Sequence, residues 1–87
     1  MTLHQIIFHT DEGSLAVIQG TNFDDIFQDA YRRYTSMTAS DWKYTYDFFV
    51  NQLSDGGGLM FNTWLSQDKS MGQDIVFVHY NTWEVTE

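Results

Sequence analysis

The pattern of apolar and polar positions at the start of the chain predicts a β-hairpin. Thr2 to Thr10 alternates loosely and is rich in Ile, Phe and Thr, as is typical of a strand. Asp11-Glu12-Gly13 supplies turn residues, since Gly13 tolerates a positive φ. Ser14 to Gln19 then returns as a second strand, which Gly20 ends.

The last third of the chain predicts a second hairpin. Leu59 to Leu65 alternates so that one face of a strand is apolar, and Gln67 to Gly72 forms a loop. Asp74 to Val85 is a long run of β-branched and aromatic residues, which makes it the strongest strand in the sequence.

Between the hairpins, apolar residues recur at helical spacing and predict a first helix. Its stripe at i, i+3, i+4, i+7, i+8 and i+11 consists of Phe23, Ile26, Phe27, Ala30, Tyr31 and Tyr34. Thr21 or Asn22 provides the N-cap, and Arg32 and Arg33 stand in the last turn, where cations interact well with the helix dipole. A short polar break over residues 35–39 follows.

A second helix is predicted from about Asp41 to Ser54, with caps available in Thr38-Ala39-Ser40-Asp41. Its inward stripe is Trp42, Tyr46, Phe49, Val50 and Leu53. The run Gly56-Gly57-Gly58 ends the helix. It does not predict a phosphate-binding loop, because it follows a helix, precedes a strand and lacks a Gly-Lys-Ser/Thr ending.

The order of elements is therefore β-β-α-α-β-β, in a single globular domain over residues 1–87. Two hairpins joined by a helical pair predict an α+β fold, a four-stranded antiparallel sheet with two helices packed on one face. Hydrophobic residues make up 43% of the chain and aromatic residues 17%, so a dense core is feasible at this length.

Charge narrows the classes of partner. The chain has twelve acidic residues and four Lys and Arg residues, which gives a formal net charge of -8 at pH 7. Phosphates attract the opposite sign, so direct binding of nucleic acid or of an anionic membrane is disfavoured. A field of this sign favours encounter with a basic protein or nucleoprotein complex. The alternative is that the acidity serves solubility alone.

The segments that direct a chain out of the cytoplasm are not recognisable in this sequence. Met1 to Phe8 lacks both the basic and the continuous apolar regions of a signal peptide, and the chain has no Cys for disulfides. No apolar run approaches the about 20 residues that span a bilayer. These features predict a cytoplasmic protein without a membrane partner.

The histidines are the candidates for catalysis or metal binding. On a strand, His4 and His9 are an odd number of residues apart and point to opposite faces. A site of His9, Asp11 and His79 is conceivable if their strands are neighbours, and isolated histidines on a sheet surface are the competing interpretation. With no Gly-x-Ser-x-Gly elbow and no cofactor fingerprint, we predict a protein that is not an enzyme and holds no metal or cofactor.

Two aromatic residues of the second helix fall outside its inward stripe. Tyr44 and Phe48 are predicted on the opposite face, shared with Asp41, Asn51 and Asp55. Aromatic residues ringed by acids are typical of a protein-protein hot spot. An external partner, a homodimer and cover by the chain itself all remain open.

The first helix adds Asp24, Asp25 and Asp29 on its solvent side. Together with Asp11 and Glu12 at the hairpin turn, they spread negative charge in a way that imitates a phosphate backbone. The alternative is that they are ordinary solvated residues, with Asp29 in position to pair with Arg32 or Arg33.

Length, acidity, the absence of Cys and Pro and a compact α+β pattern together resemble small phage-encoded inhibitors, including anti-CRISPR and anti-restriction proteins. Many of these block a nucleic-acid-handling complex by occupying its basic DNA or RNA path. The resemblance implies an inhibitor that acts by protein binding in the host cytoplasm, with DNA mimicry as one mode. It lies in bulk properties and carries no motif, so it transfers no residue role.

Overall fold

A computed structural model describes residues 1–11, 13–38, 43–64 and 73–86, and the side chains at 63, 64, 73 and 74 lie outside that description. Its elements are, in chain order, β1 (Thr2–Thr10), β2 (Gly13–Gly20), α1 (Phe23–Met37), α2 (Tyr46–Ser54), β3 (Leu59–Trp64) and β4 (Gln73–Glu84). The predicted β-β-α-α-β-β order is confirmed. Several predicted features lie outside the described residues: Glu12, the cap candidates Ala39 and Ser40, Asp41, Trp42, the strand end Leu65 and the loop from Gln67 to Gly72.

The strands form one antiparallel sheet in the order β2-β1-β4-β3, so the two ends of the chain pair in its centre. Ile6 lies opposite Ile18 on β2 and opposite Tyr80 on β4. A register shift between Phe8 and His9 marks a bulge against β2. Both helices pack on one face of this sheet, as the sequence predicts.

The core lies between that face and the helices. Alternate residues of the strands point into it, as the period of two requires. The largest fully buried side chains are Ile6, Phe8, Phe27, Tyr34, Phe49, Leu53, Val76 and Val78. The two helices contribute Phe27, Tyr34, Phe49 and Leu53 of these, which confirms the predicted inward stripes at those positions.

The first helix begins where the sequence predicts and ends one turn later. Asn22 is its N-cap, and its side chain accepts a hydrogen bond from the Asp25 N–H at 3.0 Å. The prediction of a polar break from residue 35 was wrong, because α1 continues to Met37. The hydroxyls of Thr35 and Ser36 donate back to carbonyls one turn earlier, so these polar residues fit the helix. Arg32 and Arg33 are consequently not in the last turn.

The second helix begins later than predicted, at Tyr46 instead of about Asp41. Thr45 is extended at φ -68° and ψ 162°, and its side chain accepts a hydrogen bond from the Phe48 N–H. Just before this cap, the Tyr34 hydroxyl accepts from the Tyr44 N–H at 2.9 Å, and the Tyr31 hydroxyl donates to the Tyr44 carbonyl at 2.7 Å. These tertiary hydrogen bonds use the backbone groups of Tyr44 that a helix would need.

The glycine run ends α2 as predicted. Gly56 has φ +81°, and its N–H donates to the Leu53 carbonyl, while the Gly57 N–H donates to the Gln52 carbonyl. This pair of hydrogen bonds is a Schellman motif. The motif turns the chain from α2 into the edge strand β3.

Candidate interaction surfaces

Acidic side chains of both helices lie on one side of the molecule. Asp24 stands in the first turn of α1 and Asp47 in the first turn of α2, and both are exposed. Tyr46 lies between the helices, with its ring edge-to-face on Tyr31 of α1 at 5.3 Å between centroids. Burial raises the pKa of Tyr46, and the charges of Asp24 and Asp47 raise it further. The carboxylates of the two helices therefore add their potentials at one place, which we call the acidic helical surface.

Asp25 and Asp29 follow a different stripe of α1. They are four residues apart, and Arg33 follows Asp29 at the same spacing. Within the described part of the chain, however, no ion pair within 4.0 Å joins Asp29 to Arg32 or Arg33. The pair that is formed joins the N-terminal amine to Glu84 at 3.4 Å. The positive charges of the arginines still reduce the negative potential along this stripe of α1. The acidic helical surface around Asp24 and Asp47 has no arginine at this spacing.

Asp47 was missed by the sequence prediction, although a signal for it exists. With the helix predicted from residue 41, Asp47 fell in its middle and gained no particular role. A Thr followed two residues later by Asp is the pattern of a helix start, because both groups interact with the free N–H groups of the first turn. Thr45 and Asp47 fit that pattern.

Of the remaining predicted acids, Asp11 and Asp55 lie away from this surface. Asp11 is exposed in the turn between β1 and β2. That turn is at the opposite end of β1 from His4, whose ring contacts Phe23 beside Asp24 at 5.6 Å. Asp55 is the C-cap of α2, at the other end of that helix from Asp47. Glu12 and Asp41 lie outside the described residues.

The predicted aromatic pair is formed, but only one of its members belongs to the helix. The rings of Tyr44 and Phe48 stack at 4.6 Å with an interplanar angle of 20°. Tyr44 precedes α2 and is half-buried, whereas Phe48 is 45% exposed. The pair borders a depression of about 240 Å³ whose other lining residues include Gln52 and Met60. The two aromatic rings therefore present a small apolar patch at the β3 edge of the sheet.

The face of the sheet turned away from the helices is also apolar. We call it the open face, since α1 and α2 both pack on the other side. Its outward residues follow from the register: Leu3, Gln5, Ile7, His9, Val17, Gln19, Met60, Asn62, Ile75, Phe77, His79, Asn81 and Trp83. Val17 is 49% exposed, Met60 54% and Trp83 42%. None of these outward residues is Asp or Glu.

The histidines divide between the two faces, as predicted. His4 lies on the helical side, where its Nδ1 is 2.6 Å from the Tyr80 hydroxyl. His9 and His79 lie together on the open face with ring centroids 4.5 Å apart, and Phe77 stacks on His9 at 5.7 Å. The strands of His9 and His79 are thus neighbours, which was the condition for a shared site. Among the described residues, however, no group of three or more His, Cys, Asp or Glu is arranged to hold a metal ion.

A concavity of about 460 Å³ opens beside this histidine pair. Its lining includes His9, Met60, Phe77 and His79 from the open face and the glycine run from 56 to 58 at its rim. The Nε2 atom of His9 is buried and has no hydrogen-bond partner among the described residues. A buried polar atom in that state is costly unless a bound group supplies a partner.

The apolar character of the open face was not predicted, although the sequence contains a signal for it. A strand with one face in water alternates apolar and polar residues, whereas a strand covered on both sides is apolar throughout. The runs Ile6-Ile7-Phe8, Ala16-Val17-Ile18 and Val76-Phe77-Val78 are of the second kind. They place apolar side chains on both faces of β1, β2 and β4.

Comparison with protein-family models, with curated protein sequences and with solved structures finds no match to this chain. In the described part of the chain, neither helix has the length and apolar character needed to cross a membrane.

Proposed function

We propose that this protein is a binding inhibitor whose acidic helical surface occupies a basic nucleic-acid-binding surface of a partner protein or nucleoprotein complex. The observation that carries the proposal is the convergence of Asp24 and Asp47, from two different helices, on the surface around Tyr46. Anti-CRISPR and anti-restriction proteins are the class with this mode of action. In that role the carboxylates take the places of backbone phosphates.

Electrostatics and anchoring have separate roles in this proposal. A net charge of -8 on 87 residues accelerates encounter with a basic surface. Affinity comes mainly from a few well-packed side chains, for which aromatic residues are favoured. Tyr44 lies just ahead of α2 and Phe48 lies in its first turn, next to Asp47. A partner that covers Asp47 can therefore also reach the stacked rings.

The proposal is tested first by competition. The partner is captured from host lysate on the immobilised protein, purified, and titrated with its own DNA or RNA in the presence of this protein. We expect the two ligands to exclude each other, with an affinity for this protein that falls as salt is raised. Simultaneous binding of nucleic acid and inhibitor at undiminished affinity would contradict the proposal.

A matched pair of variants then locates the epitope. The double substitution Asp24→Asn and Asp47→Asn removes both charges. It should weaken binding by about tenfold or more, since each charge-assisted contact contributes roughly 1.5–3 kcal/mol. Asp11→Asn together with Asp55→Asn removes the same number of charges away from this surface and should leave affinity nearly unchanged. Equal losses in the two variants would show that only net charge matters.

The Tyr44 and Phe48 patch favours a second candidate function, that of a homodimeric accessory or immunity-type protein. Phe48 is a large apolar side chain left 45% exposed beside a half-buried Tyr44. Phe48→Ala separates the two functions. It should abolish self-association if this patch is a dimer interface, and it should reduce affinity without changing the mass of the free protein if the patch anchors a partner.

A further inference from the structure

We propose that the open face is the interface of a homodimer, in which a second copy of this chain packs its own open face against it. The result is a four-layered molecule with helices outside and two sheets inside. This inference does not rest on the proposed function, because the acidic helical surface and the open face lie on opposite sides of the molecule.

Charge is the first argument for a second copy. Two chains of net charge -8 repel each other, so self-association requires a surface free of carboxylates. The outward residues of the open face include seven apolar side chains, four amides and two histidines: Leu3, Ile7, Val17, Met60, Ile75, Phe77 and Trp83; Gln5, Gln19, Asn62 and Asn81; His9 and His79. Exposed acids are instead found on the helical layer, at Asp24, Asp25, Asp47 and Asp55, and at the ends of the sheet, at Asp11 and Glu84. A basic partner would gain no charge pairing on the open face.

Size is the second argument. Four strands spaced about 4.8 Å apart, with about 3.3 Å per residue, give this face roughly 500 Å² in projection before the relief of its side chains is counted. A standard interface buries about 800 Å² on each partner. The apolar side chains cover part of this area, and apolar patches of about 300–600 Å² are the largest on typical monomers and often mark an interaction site.

The geometry of sheets is the third argument. Two twisted sheets pack face to face at about 10 Å with their strands nearly aligned, and a two-fold axis makes each patch complementary to its own copy. Ile7 and His79 are opposite each other on β1 and β4, in the middle of the sheet and of this face. The amide side chains of Gln5 and Gln19 bond to each other at 3.1 Å, and with Asn81 they form a polar row across three strands, between Trp83 and the middle of the face.

The concavity at the other end of the face supports the same occupant. A second copy that covers it brings side chains close to His9, whose buried Nε2 atom has no partner among the described residues. Packing of Met60 and Phe77 against the partner also removes exposed apolar surface from water.

The first experiment measures the mass of the full chain in solution. Sedimentation equilibrium from micromolar to submillimolar concentration should show a monomer-dimer equilibrium with a limiting mass of twice 10.2 kDa. A monomer at every concentration overturns the proposal and leaves the open face to a different partner.

Matched charge insertions then locate the interface. Val17→Glu and Trp83→Glu place a carboxylate on the open face, away from the Tyr44 and Phe48 patch, and each should weaken dimerisation by about 100-fold or more, because the charge would be buried without a partner. Phe48→Glu makes the same kind of change at an exposed aromatic residue of α2 and should leave the dimer intact. Dissociation by Phe48→Glu alone overturns the proposal in favour of the Tyr44 and Phe48 patch.

Two further variants keep the test decisive if a buried carboxylate prevents folding. Val17→Thr retains the β-branched shape, and it should weaken the dimer while the circular dichroism spectrum stays native. The chain has no Cys, so His79→Cys introduces a single thiol in the middle of the open face. On a denaturing gel after mild oxidation, the His79→Cys variant should run as a crosslinked dimer. The Gln28→Cys variant, with its thiol at an exposed position of α1, should remain monomeric. Equal crosslinking of both variants overturns the proposal.

Discussion

At the scale of single residues, two tyrosine hydroxyls determine where the second helix begins. Tyr31 and Tyr34 of α1 bond the carbonyl and the N–H of Tyr44, and Tyr34 is only 1% exposed. Burial raises the pKa of Tyr34, so its hydroxyl stays neutral and can accept the Tyr44 N–H well into the alkaline range. A stripe that looks purely apolar in the sequence thus also positions the connection to α2.

Tyr34→Phe should therefore destabilise the protein by about 1–3 kcal/mol, because the partly buried Tyr44 N–H loses its acceptor while the ring packing is retained. Urea unfolding followed by circular dichroism measures the change. Tyr31→Phe is the control: its hydroxyl bonds a half-buried carbonyl, and we expect a loss of about 0.5–1.5 kcal/mol. A Tyr34→Phe variant as stable as the parent would show that this hydrogen bond does not hold the connection.

At the scale of elements, each helix has boundaries that depend on a few groups. The ends that local chemistry decides were predictable, such as the Asn22 cap of α1 and the glycine run after α2. The ends that tertiary hydrogen bonds decide were not, as at Tyr44. Likewise, Thr35 and Ser36 have low helix propensity in isolation, and packing of α1 over the sheet keeps them helical.

Gly56→Ala tests the local end of α2. At φ +81° an L-residue is strained, and a Cβ there meets nothing within 4 Å, so conformation alone determines the cost. We expect a loss of about 1 kcal/mol in the free energy of unfolding. Gly56→Asn is the matched control and should cost less, since Asn tolerates this region better. Equal losses for Ala and Asn would point to a cause other than backbone strain.

At the scale of the whole molecule, charge and apolar surface are segregated. Carboxylates are exposed on the helical layer, and the opposite face of the sheet is neutral. Within the described residues the ion pair of Met1 with Glu84 is exposed, so the negative charges are mostly balanced by solvent ions.

Added salt should therefore stabilise the protein. Raising NaCl from low to high concentration screens repulsion between carboxylates, and a gain of about 1 kcal/mol would raise Tm by roughly 4–8 °C in a domain of this size. Differential scanning calorimetry at fixed protein concentration measures it. The Asp24→Asn and Asp47→Asn double variant should respond less. A Tm that falls with NaCl would contradict the expected dominance of repulsion.

The sequence by itself determined the number, order and type of the elements, because periods of two and of 3.6 are local properties of a chain. It also determined the sign of the charge and the inward stripe of each helix. Which surfaces those residues share was decided only by the tertiary structure. Asp24 and Asp47 both act on Tyr46 because α1 packs beside α2, and Val17, Ile7 and Phe77 form one face because strands distant in sequence pair in register. Such long-range juxtaposition depends on packing, and no local pattern records it.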